Sequence, residues 1–163
     1  MLTPLRKRID IKTFEQLNAY ELYELLKLRV DVFIVELNCP YADLDNMDRH
    51  PETRHVLCHS EDSGELMGYL RVLPPGLRFS EVGITRVVVS EKGRGQGIAH
   101  AMMANALDMA STLWAEMDIK VSVQNYLVGF YQELGFVVNS TVYMEEGIPH
   151  VEMLKEASSC TIH

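Results

Sequence analysis

The sequence predicts an α/β (α+β) fold in which a mixed sheet is flanked by helices. A β-branched run, Val87, Val88 and Val89, is followed by a glycine-spaced loop and then by an apolar-periodic segment that is typical of a helix. Two strand-like runs, 55–59 and 66–73, are joined by a Glu-Asp-Ser-Gly turn. Strands and helices that alternate in this way build one sheet with helices packed against it.

The other elements are predicted from the period of their apolar residues and from the turn residues at their ends. Strands are expected over 9–14, 55–59, 66–73, 81–89, 118–123, 136–144 and 150–154, and helices over 19–36, 97–115 and 127–134. The 19–36 pattern allows a break into two helices. Residues 38–53 contain prolines and aspartates, which favours a loop with a solvated turn. One domain is expected over 1–156, followed by a flexible tail over 157–163.

Composition restricts the class of protein and of partner. A chain of 163 residues with 47% hydrophobic residues can bury one sizeable core. The formal net charge of -8 argues against nucleic acid and favours a cationic amine as partner. No apolar run approaches the roughly 18 residues of a membrane span, and no signal peptide is predicted at the N-terminus. Cys39, Cys58 and Cys160 are too scattered for a disulfide framework, so reduced thiols and a cytoplasmic location are expected.

The loop after the valine strand has the character of a phosphate-binding site. Unpaired N–H groups at the start of a helix bind phosphate, and Arg94 adds a fixed positive charge. A P-loop is excluded because Gly97 is not followed by Lys and Ser or Thr. A dinucleotide fingerprint is a weak match because His100 stands where its third glycine belongs, and an ordinary strand-to-helix turn is the simpler alternative. The predicted diphosphate contacts are Arg94, Gly95, Gln96, Gly97, Ile98 and Ala99.

Two motifs in the correct order carry a family resemblance. The pattern Arg94-x-x-Gly97-x-Ala99, placed after a valine-rich strand, resembles the acyl-CoA loop of the GNAT (GCN5-related N-acetyltransferase) superfamily. Residues 124–136, with Tyr131 and a following Gly-Phe pair, resemble a later motif of the same superfamily. Gln124 stands where most members have asparagine, but the amide is retained. Further stretches that resemble the ElaA-like branch of this superfamily are 28–41, 73–76 and 146–153.

The resemblance implies the fold, the co-substrate and several contacts. The expected GNAT fold is a mixed, mostly antiparallel twisted sheet of six or seven strands, flanked by about four helices and splayed between the central strands. The expected co-substrate is acetyl-CoA, without a metal, and the expected acceptor is a primary amine of a small molecule or peptide; a homodimer is left open. The pantetheine arm would pair with Val87, Val88 and Val89, where an N–H of Val88 or Val89 would polarise the thioester carbonyl. Gln124 would contact the cofactor.

Acyl transfer to an amine also needs proton transfer. A lysine-like amine has a pKa of about 10.4, so only about one molecule in 10³ to 10⁴ is nucleophilic at neutral pH. By resemblance Tyr131 is the general acid that faces the CoA sulfur, with a core tyrosine as the alternative. Glu81 is the candidate base, with a solvated glutamate or a proton route through water as alternatives. Strand alternation predicts Arg86 on the face opposite Glu81, with Val87 and Val89 on the Glu81 face.

Other polar residues of the sequence are candidates for acceptor or metal binding. His150 and Glu152 share one face of the last strand and could line the acceptor pocket, although such residues are often structural. Tyr41 and the acidic loop after it could contact the acceptor, with a solvated turn as the favoured interpretation. A metal site is not predicted, because four residues along a strand separate two histidines by roughly 13 Å. The residues considered for metal were His50, His55, His59, Asp45 and Asp48.

Two function classes follow. The first is an acyltransferase that moves an acetyl group from acetyl-CoA to an amine by direct attack in a ternary complex. The second is a catalytically inactive acyl-CoA-binding sensor or interaction domain on the same scaffold. A polar pocket at His150 and Glu152 would favour the enzyme. A hydrophobic or closed acceptor cleft would favour the binder. No Ser-His or Cys-His arrangement is evident, although Cys39 and Cys58 leave an acyl-enzyme route open.

Overall fold

The computed structural model describes residues 5–157 and contains one sheet of eight strands. The strands are β1 (Lys7–Lys12), β2 (Arg54–Ser60), β3 (Leu66–Leu73), β4 (Val82–Val89), β5 (Ile119–Gln124), β6 (Val137–Val138), β7 (Tyr143–Glu145) and β8 (Ile148–Lys155). The α-helices are α1 (Ala19–Arg29), α2 (Ile98–Leu113) and α3 (Val128–Glu133). The strand order is β1-β2-β3-β4-β5-β8-β6, with β7 also paired to β8. Only β4 and β5 are parallel neighbours.

The sheet opens between its two central strands. Strands β4 and β5 pair only at Val82 with Ile119 and at Gly83 with Lys120. Beyond these residues β4 stays paired with β3, and β5 stays paired with β8 over its whole length. The two halves of the sheet therefore separate towards the C-terminal ends of β4 and β5. This gap confirms the predicted splay and the mixed, mostly antiparallel class.

Helices cover both faces of the sheet. Helix α2 buries an apolar stripe against β2, β3 and β4, and its buried members are Ile98, Met102, Met103, Ala106 and Ala110. Gly68 of β3 permits this close contact, because a Cβ atom there would lie 2.7 Å from Ile98 Cγ2. Helix α1 covers the opposite face and packs on Leu57, Tyr69 and Val88.

Some element bounds differ from the prediction. The expected strand over 136–144 is divided into β6 and β7, because the Glu152 amide donates to the Ser140 hydroxyl at 2.8 Å and the regular ladder is interrupted. The sheet therefore has eight strands rather than six or seven. Helix α1 continues into a π-type turn, Val30–Glu36, so residues 5–157 contain three α-helices rather than about four. Of the predicted tail, residues 158–163 lie outside the described residues.

Strand β4 contains a β-bulge at Arg86, whose φ is +58°. The pairing with β3 shifts at this point, because Arg71 lies opposite Thr85 whereas Tyr69 lies opposite Val88. One residue of β3 therefore faces two residues of β4. Thr85 accepts a hydrogen bond from Arg71 Nε at 2.7 Å, and Arg86 also turns towards the α1 side of the sheet.

The bulge corrects the predicted side-chain alternation. Val82 belongs to the core under α2, and Val87 and Val89 pack against that same core. Glu81 precedes Val82 and so lies on the opposite face. The prediction that Glu81 shares a face with the two valines is wrong, because the extra residue at Arg86 reverses the alternation.

The loop over 38–53 is held by a buried ion network rather than exposed as a solvated turn. Arg29 donates to Asp43 at 2.8 Å and to Asp48 at 2.7 Å, and both aspartates are buried. Arg71 donates to the two carboxylate oxygens of Asp45 at 2.8 and 2.6 Å. The prediction of a solvated turn is wrong, because these arginines draw the carboxylates inward. Removing one partner of a buried pair costs about 3–5 kcal/mol, so the network fixes the loop beside the gap.

Within the described part of the chain, no helix combines the length and the apolar character needed to cross a membrane.

Candidate active site

A cleft of about 380 Å³ lies where β4 and β5 separate. Its first wall includes Thr85, Arg86 and Val87 of β4, together with side chains of the segment that follows α1. Its second wall includes Ser122 and Gln124 of β5, together with α3 and the β7–β8 hairpin. The cleft is therefore a direct consequence of the splayed sheet, and both Gln124 and Val87 line it.

The glycine loop leads from β4 into α2 beside this gap. Gly95 and Gly97 have φ values of +78° and +72°, a conformation that other residues adopt only with strain. The first intrahelical hydrogen bond of α2 runs from Ala101 N to Gly97 O, and no side chain caps the helix. The N–H groups at 98–100 consequently have no intrahelical acceptor and can bind an anion. A Cβ atom at either glycine would meet open space, so the loop has room for a diphosphate.

Arg94 and Gln96 of this loop contact neighbouring groups of the protein. Arg94 donates to both carboxylate oxygens of Glu36 at 2.7 and 2.6 Å. This hydrogen bond lowers the pKa of Glu36 and raises that of Arg94. Gln96 Nε2 donates to the Lys92 carbonyl at 2.9 Å. Both side chains are exposed at the mouth of the loop, where an incoming phosphate can compete for Arg94.

The two edges of β4 differ in the availability of their backbone. Ser90 N donates to Met67 O at 2.8 Å, and Val88 lies directly opposite Tyr69 in the register with β3. Because successive residues direct their N–H groups to alternate edges of a strand, Val88 N–H points to β3 and Val89 N–H points to the gap. Of the two predicted oxyanion donors, the geometry therefore favours Val89.

Tyr131 of α3 lines the cleft. Its side chain is only 5% exposed and packs edge-on against Phe130 and Phe136 at centroid distances of 5.1 and 5.8 Å. Burial raises the pKa of Tyr131 to about 12, so its hydroxyl stays protonated near neutral pH. The side chain can therefore act as a hydrogen-bond donor inside the cleft.

Comparison with known proteins decides the family. The family model described as acetyltransferase (GNAT) domain matches residues 34–157. The chain belongs to the GNAT family. It is 39% identical over 141 residues to protein ElaA of Escherichia coli (strain K12), with 86% of this chain and 91% of ElaA covered. This confirms the predicted superfamily and its ElaA-like branch.

Solved structures agree with this assignment. The crystal structure of an acyl-CoA N-acyltransferase from Pseudomonas aeruginosa superposes on this GNAT protein with a TM-score of 0.86 at 39% identity, covering 92% of this chain and 99% of that one. The crystal structure of Escherichia coli ElaA gives a TM-score of 0.86 at 36% identity, covering 93% and 100%. The splayed sheet is thus the GNAT fold.

Glu81, the predicted base, lies away from the cleft of this GNAT protein. Its carboxylate accepts a hydrogen bond from the Ser80 hydroxyl at 2.9 Å and lies 3.5 Å from Lys120 Nζ. Burial would raise the pKa of Glu81, but hydrogen bonds from its own amide and from Ser80 outweigh that effect and lower it. Glu81 is not among the residues that line the cleft with Tyr131. Its role as base stays a prediction that the geometry does not favour.

A polar corner of the cleft was only partly anticipated from the sequence. We use this name for Ser122, Glu145 and His150, which line the cleft, together with Tyr143, which contacts Ser122. Ser122 contacts the Tyr143 hydroxyl and donates to Glu145 Oε2 at 3.4 Å, and His150 Nε2 lies 3.4 Å from that same oxygen. Arg78 donates to Glu145 Oε1 at 3.3 Å. Sequence reasoning proposed His150 for the pocket but missed the other three residues.

The signal that could have located Glu145 is a hairpin turn. Glu146 and Gly147 have φ values of +50° and +76°, as in a two-residue type I′ turn, and they place Glu145 opposite Ile148. Glutamate is uncommon at a position with positive φ, which Glu146 occupies here, so the sequence signal for this turn is weak. Glu152, the other predicted lining residue, instead lies 3.6 Å from Lys120.

His55, one of the histidines near the acidic loop, has a structural partner at each ring nitrogen. His55 Nε2 donates to the Asp48 carbonyl at 2.9 Å, and its Nδ1 accepts from the Tyr69 hydroxyl at 2.6 Å. Burial lowers the pKa of His55, which keeps this ring neutral. Within residues 5–157 no group of three or more His, Cys, Asp or Glu side chains is placed to hold a metal ion.

Proposed function

We propose that this GNAT protein transfers an acetyl group from acetyl-CoA to a primary amine of a small molecule or peptide. The observation that carries the proposal is the gap between β4 and β5, because β4 leads from this gap through the glycine loop into the uncapped start of α2, and Tyr131 lines the cleft. This arrangement can hold the diphosphate outside and the thioester inside. We further propose that the reaction takes place in the cytoplasm, where free Cys39 and Cys58 stay reduced. The predicted single-domain boundary at 156 and the homodimer stay predictions.

The chain supplies three kinds of contact to acetyl-CoA. The amides of Ile98 and Ala99 would bind the diphosphate, and Arg94 would add charge once it leaves Glu36. The gap edge of β4 would pair with the pantetheine arm, while Gln124 would offer its amide from β5. These contacts orient the thioester carbonyl towards the cleft.

The residues around the thioester would then stabilise the charges that develop during transfer. The Val89 N–H points to the gap and can donate to the oxyanion, a contribution that is typically worth about 10² to 10³ in rate. The protonated hydroxyl of Tyr131 can donate a hydrogen bond to the departing sulfur. We expect direct attack in a ternary complex rather than an acyl-enzyme, since Cys58 is buried in the core and Cys39 has no histidine partner among its described hydrogen bonds.

The polar corner favours an enzyme over a catalytically inactive acyl-CoA binder. A cleft that only recognised the acyl group would be apolar throughout, because burying polar groups without a partner is costly. Here a serine, a glutamate and a histidine line the cleft. They supply the polar contacts that an amine needs.

Two measurements test the proposal in sequence. Isothermal titration calorimetry with acetyl-CoA should show saturable binding, and no heat or saturation at millimolar concentration would overturn the proposed function. Thiol release from acetyl-CoA should then be followed with a panel of primary amines, polyamines and peptides with free N-termini. Saturable binding without thiol release for any acceptor class would favour the inactive binder instead. An acetyl adduct on Cys39 in intact-protein mass spectrometry would overturn direct attack.

A further inference from the structure

We propose that the Glu145–His150 pair accepts the proton of the attacking amine. This inference rests on the proposed acetyl transfer and names the base that Glu81 does not provide inside the cleft. His150 and Glu145 both line the cleft, as does Tyr131, the proposed hydrogen-bond donor to sulfur. The side chain of His150 is 11% exposed, so its ring is shielded but reaches the cavity.

The contacts of His150 determine which ring nitrogen is basic. His150 Nδ1 lies 2.7 Å from the Ile148 carbonyl oxygen. A carbonyl can only accept, so Nδ1 carries the hydrogen and Nε2 of the neutral ring holds the lone pair. Nε2 lies 3.4 Å from Glu145 Oε2. In the neutral ring both atoms are hydrogen-bond acceptors, so no hydrogen bond joins them until Nε2 is protonated. The pair is therefore arranged to take up a proton, which the carboxylate then stabilises on the ring.

Surrounding groups hold this pair in position. The Tyr143 hydroxyl contacts Ser122, and Ser122 in turn donates to Glu145, so the carboxylate is oriented towards the ring. The Tyr143 ring stacks on His150 at a centroid distance of 6.2 Å and an angle of 29°. Arg78 donates to the other oxygen of Glu145, which fixes the position of that carboxylate. A base whose partner is itself oriented by a third group is a recurrent arrangement in catalysis.

The step balances with groups already present. An acceptor that arrives as an ammonium first loses one proton to solvent. Its neutral nitrogen then forms a bond to the thioester carbonyl carbon, and one remaining N–H proton passes to Nε2 of His150. The carbonyl π electrons move to oxygen, where the Val89 N–H donates a hydrogen bond. An oxyanion electron pair then re-forms the carbonyl as the C–S bond breaks with its electron pair on sulfur, to which Tyr131 donates a hydrogen bond. The thiolate and the imidazolium are neutralised by exchange with solvent, leaving amide and CoA thiol.

The same corner selects the acceptor class. Glu145 and Glu146 line this end of the cleft, and the chain has a formal net charge of -8. A protonated primary amine is therefore attracted to the side of the cleft at which its proton must be removed. Neutral hydroxyl acceptors would gain no such attraction, so we expect the polar corner to favour amines.

One test does not depend on knowing the acceptor. Long-range ¹H–¹⁵N spectra of the histidine rings in the full-length protein at high pH should show the Nδ1–H form for His150, assigned with the His150→Asn variant. The Nε2–H form would overturn the proposal. A shift of the His150 ring signals in Glu145→Gln, with the signals of His59 unchanged, is the second expected result.

The kinetic test separates this proposal from the proposed function. With the amine that the wild-type protein acetylates fastest in the panel, His150→Asn should lower kcat about 10²- to 10⁴-fold while acetyl-CoA affinity stays within twofold. Imidazole should restore part of the rate of His150→Ala, which a purely structural histidine would not allow. The matched control is His59→Asn. His59 belongs to β2, its Nε2 lies 3.8 Å from Glu24 Oε2, and it does not line the cleft. Unchanged kcat in His150→Asn would overturn the base assignment alone, whereas loss of acetyl-CoA binding in the wild type would overturn the proposed function.

Discussion

Arg94 and Glu36 form a two-point ion pair between the glycine loop and the π-type turn that follows α1. The two N–O distances are 2.7 and 2.6 Å, and both side chains are nearly half exposed. The pair joins the glycine loop to the segment after α1, of which Phe33 and Leu37 line the cleft. The guanidinium that is expected to meet a diphosphate is therefore already bound to a carboxylate of the same chain.

Glu36→Gln should tighten acetyl-CoA binding. The neutral amide competes less well for Arg94, so less interaction has to be broken when the diphosphate binds; an exposed pair of this kind corresponds to roughly two- to fivefold in affinity. Calorimetry at low ionic strength measures the effect, which should shrink in high salt. Lys27–Asp31 is an exposed pair elsewhere on the chain, so Asp31→Asn serves as control. Weaker binding in Glu36→Gln would contradict competition.

Gly97→Ala should weaken acetyl-CoA binding through the backbone. Gly97 has a φ of +72°, so alanine strains the turn by about 1 kcal/mol and reorients the first amides of α2. Gly64→Ala is a matched control, since Gly64 has a φ of +74° and equal space around it in the β2–β3 turn. Both variants should lose similar stability in urea unfolding, but only Gly97→Ala should lose affinity, by about tenfold or more. If Gly97→Ala and Gly64→Ala bound acetyl-CoA with equal affinity, this result would argue against a diphosphate bound by the amides of α2.

Tyr131→Phe should lower turnover more than binding. Burial raises the pKa of Tyr131 to about 12, so the wild-type hydroxyl is present as a donor throughout the physiological range. Its loss should reduce kcat by about 10- to 100-fold through poorer stabilisation of the thiolate, with the acetyl-CoA dissociation constant nearly unchanged. Tyr20→Phe, on the exposed surface of α1, controls for the loss of a hydroxyl. An unchanged kcat would remove Tyr131 from the reaction.

Acid should destabilise the protein partly through Asp45. Burial raises its pKa, but the hydrogen bonds and charge of Arg71 outweigh this and lower it from 3.8 to about 2. The folded state thus favours the carboxylate, so its contribution is complete above about pH 4 and is lost as pH falls towards 2. The free energy of unfolding should therefore fall by about 1 kcal/mol between pH 5 and pH 3 through this group.

The Asp45→Asn variant tests this contribution. Urea unfolding of the variant should show lower stability at pH 6 and a shallower loss of unfolding free energy between pH 5 and pH 3 than the wild type. Asp62→Asn, with a largely exposed side chain, should keep the wild-type slope. Equal slopes in Asp45→Asn and the wild type would show that the Arg71 contact does not control the titration.

The glycine loop was predictable because its structure depends on neighbours in the chain. Gly97 requires a positive φ, the amides after it have no intrahelical acceptor, and the valines before it form a strand. All of this chemistry lies within about ten residues, so local rules were sufficient to infer the strand, the turn and the helix. The second motif placed Tyr131 on a short helix for the same reason.

The side-chain alternation of β4 could not be read from the same rules. A bulge at Arg86 adds one residue, and nothing in a run of valines marks that position. The extra residue reverses the alternation relative to Glu81. Glu81 itself precedes the end of β4 at which Val82 and Gly83 still pair with β5, so it lies before the point where the sheet opens.

Local pattern in the amino-acid sequence was enough to define the fold class, the family and the conformation of the glycine loop. The opposite wall of the cleft depends on contacts between segments that are far apart along the chain. Arg71 meets Asp45 across 26 residues, and Arg78 meets Glu145 across 67. Such pairings arise only when buried charges must find partners as the sheet assembles, and no periodicity within either segment encodes the choice of partner.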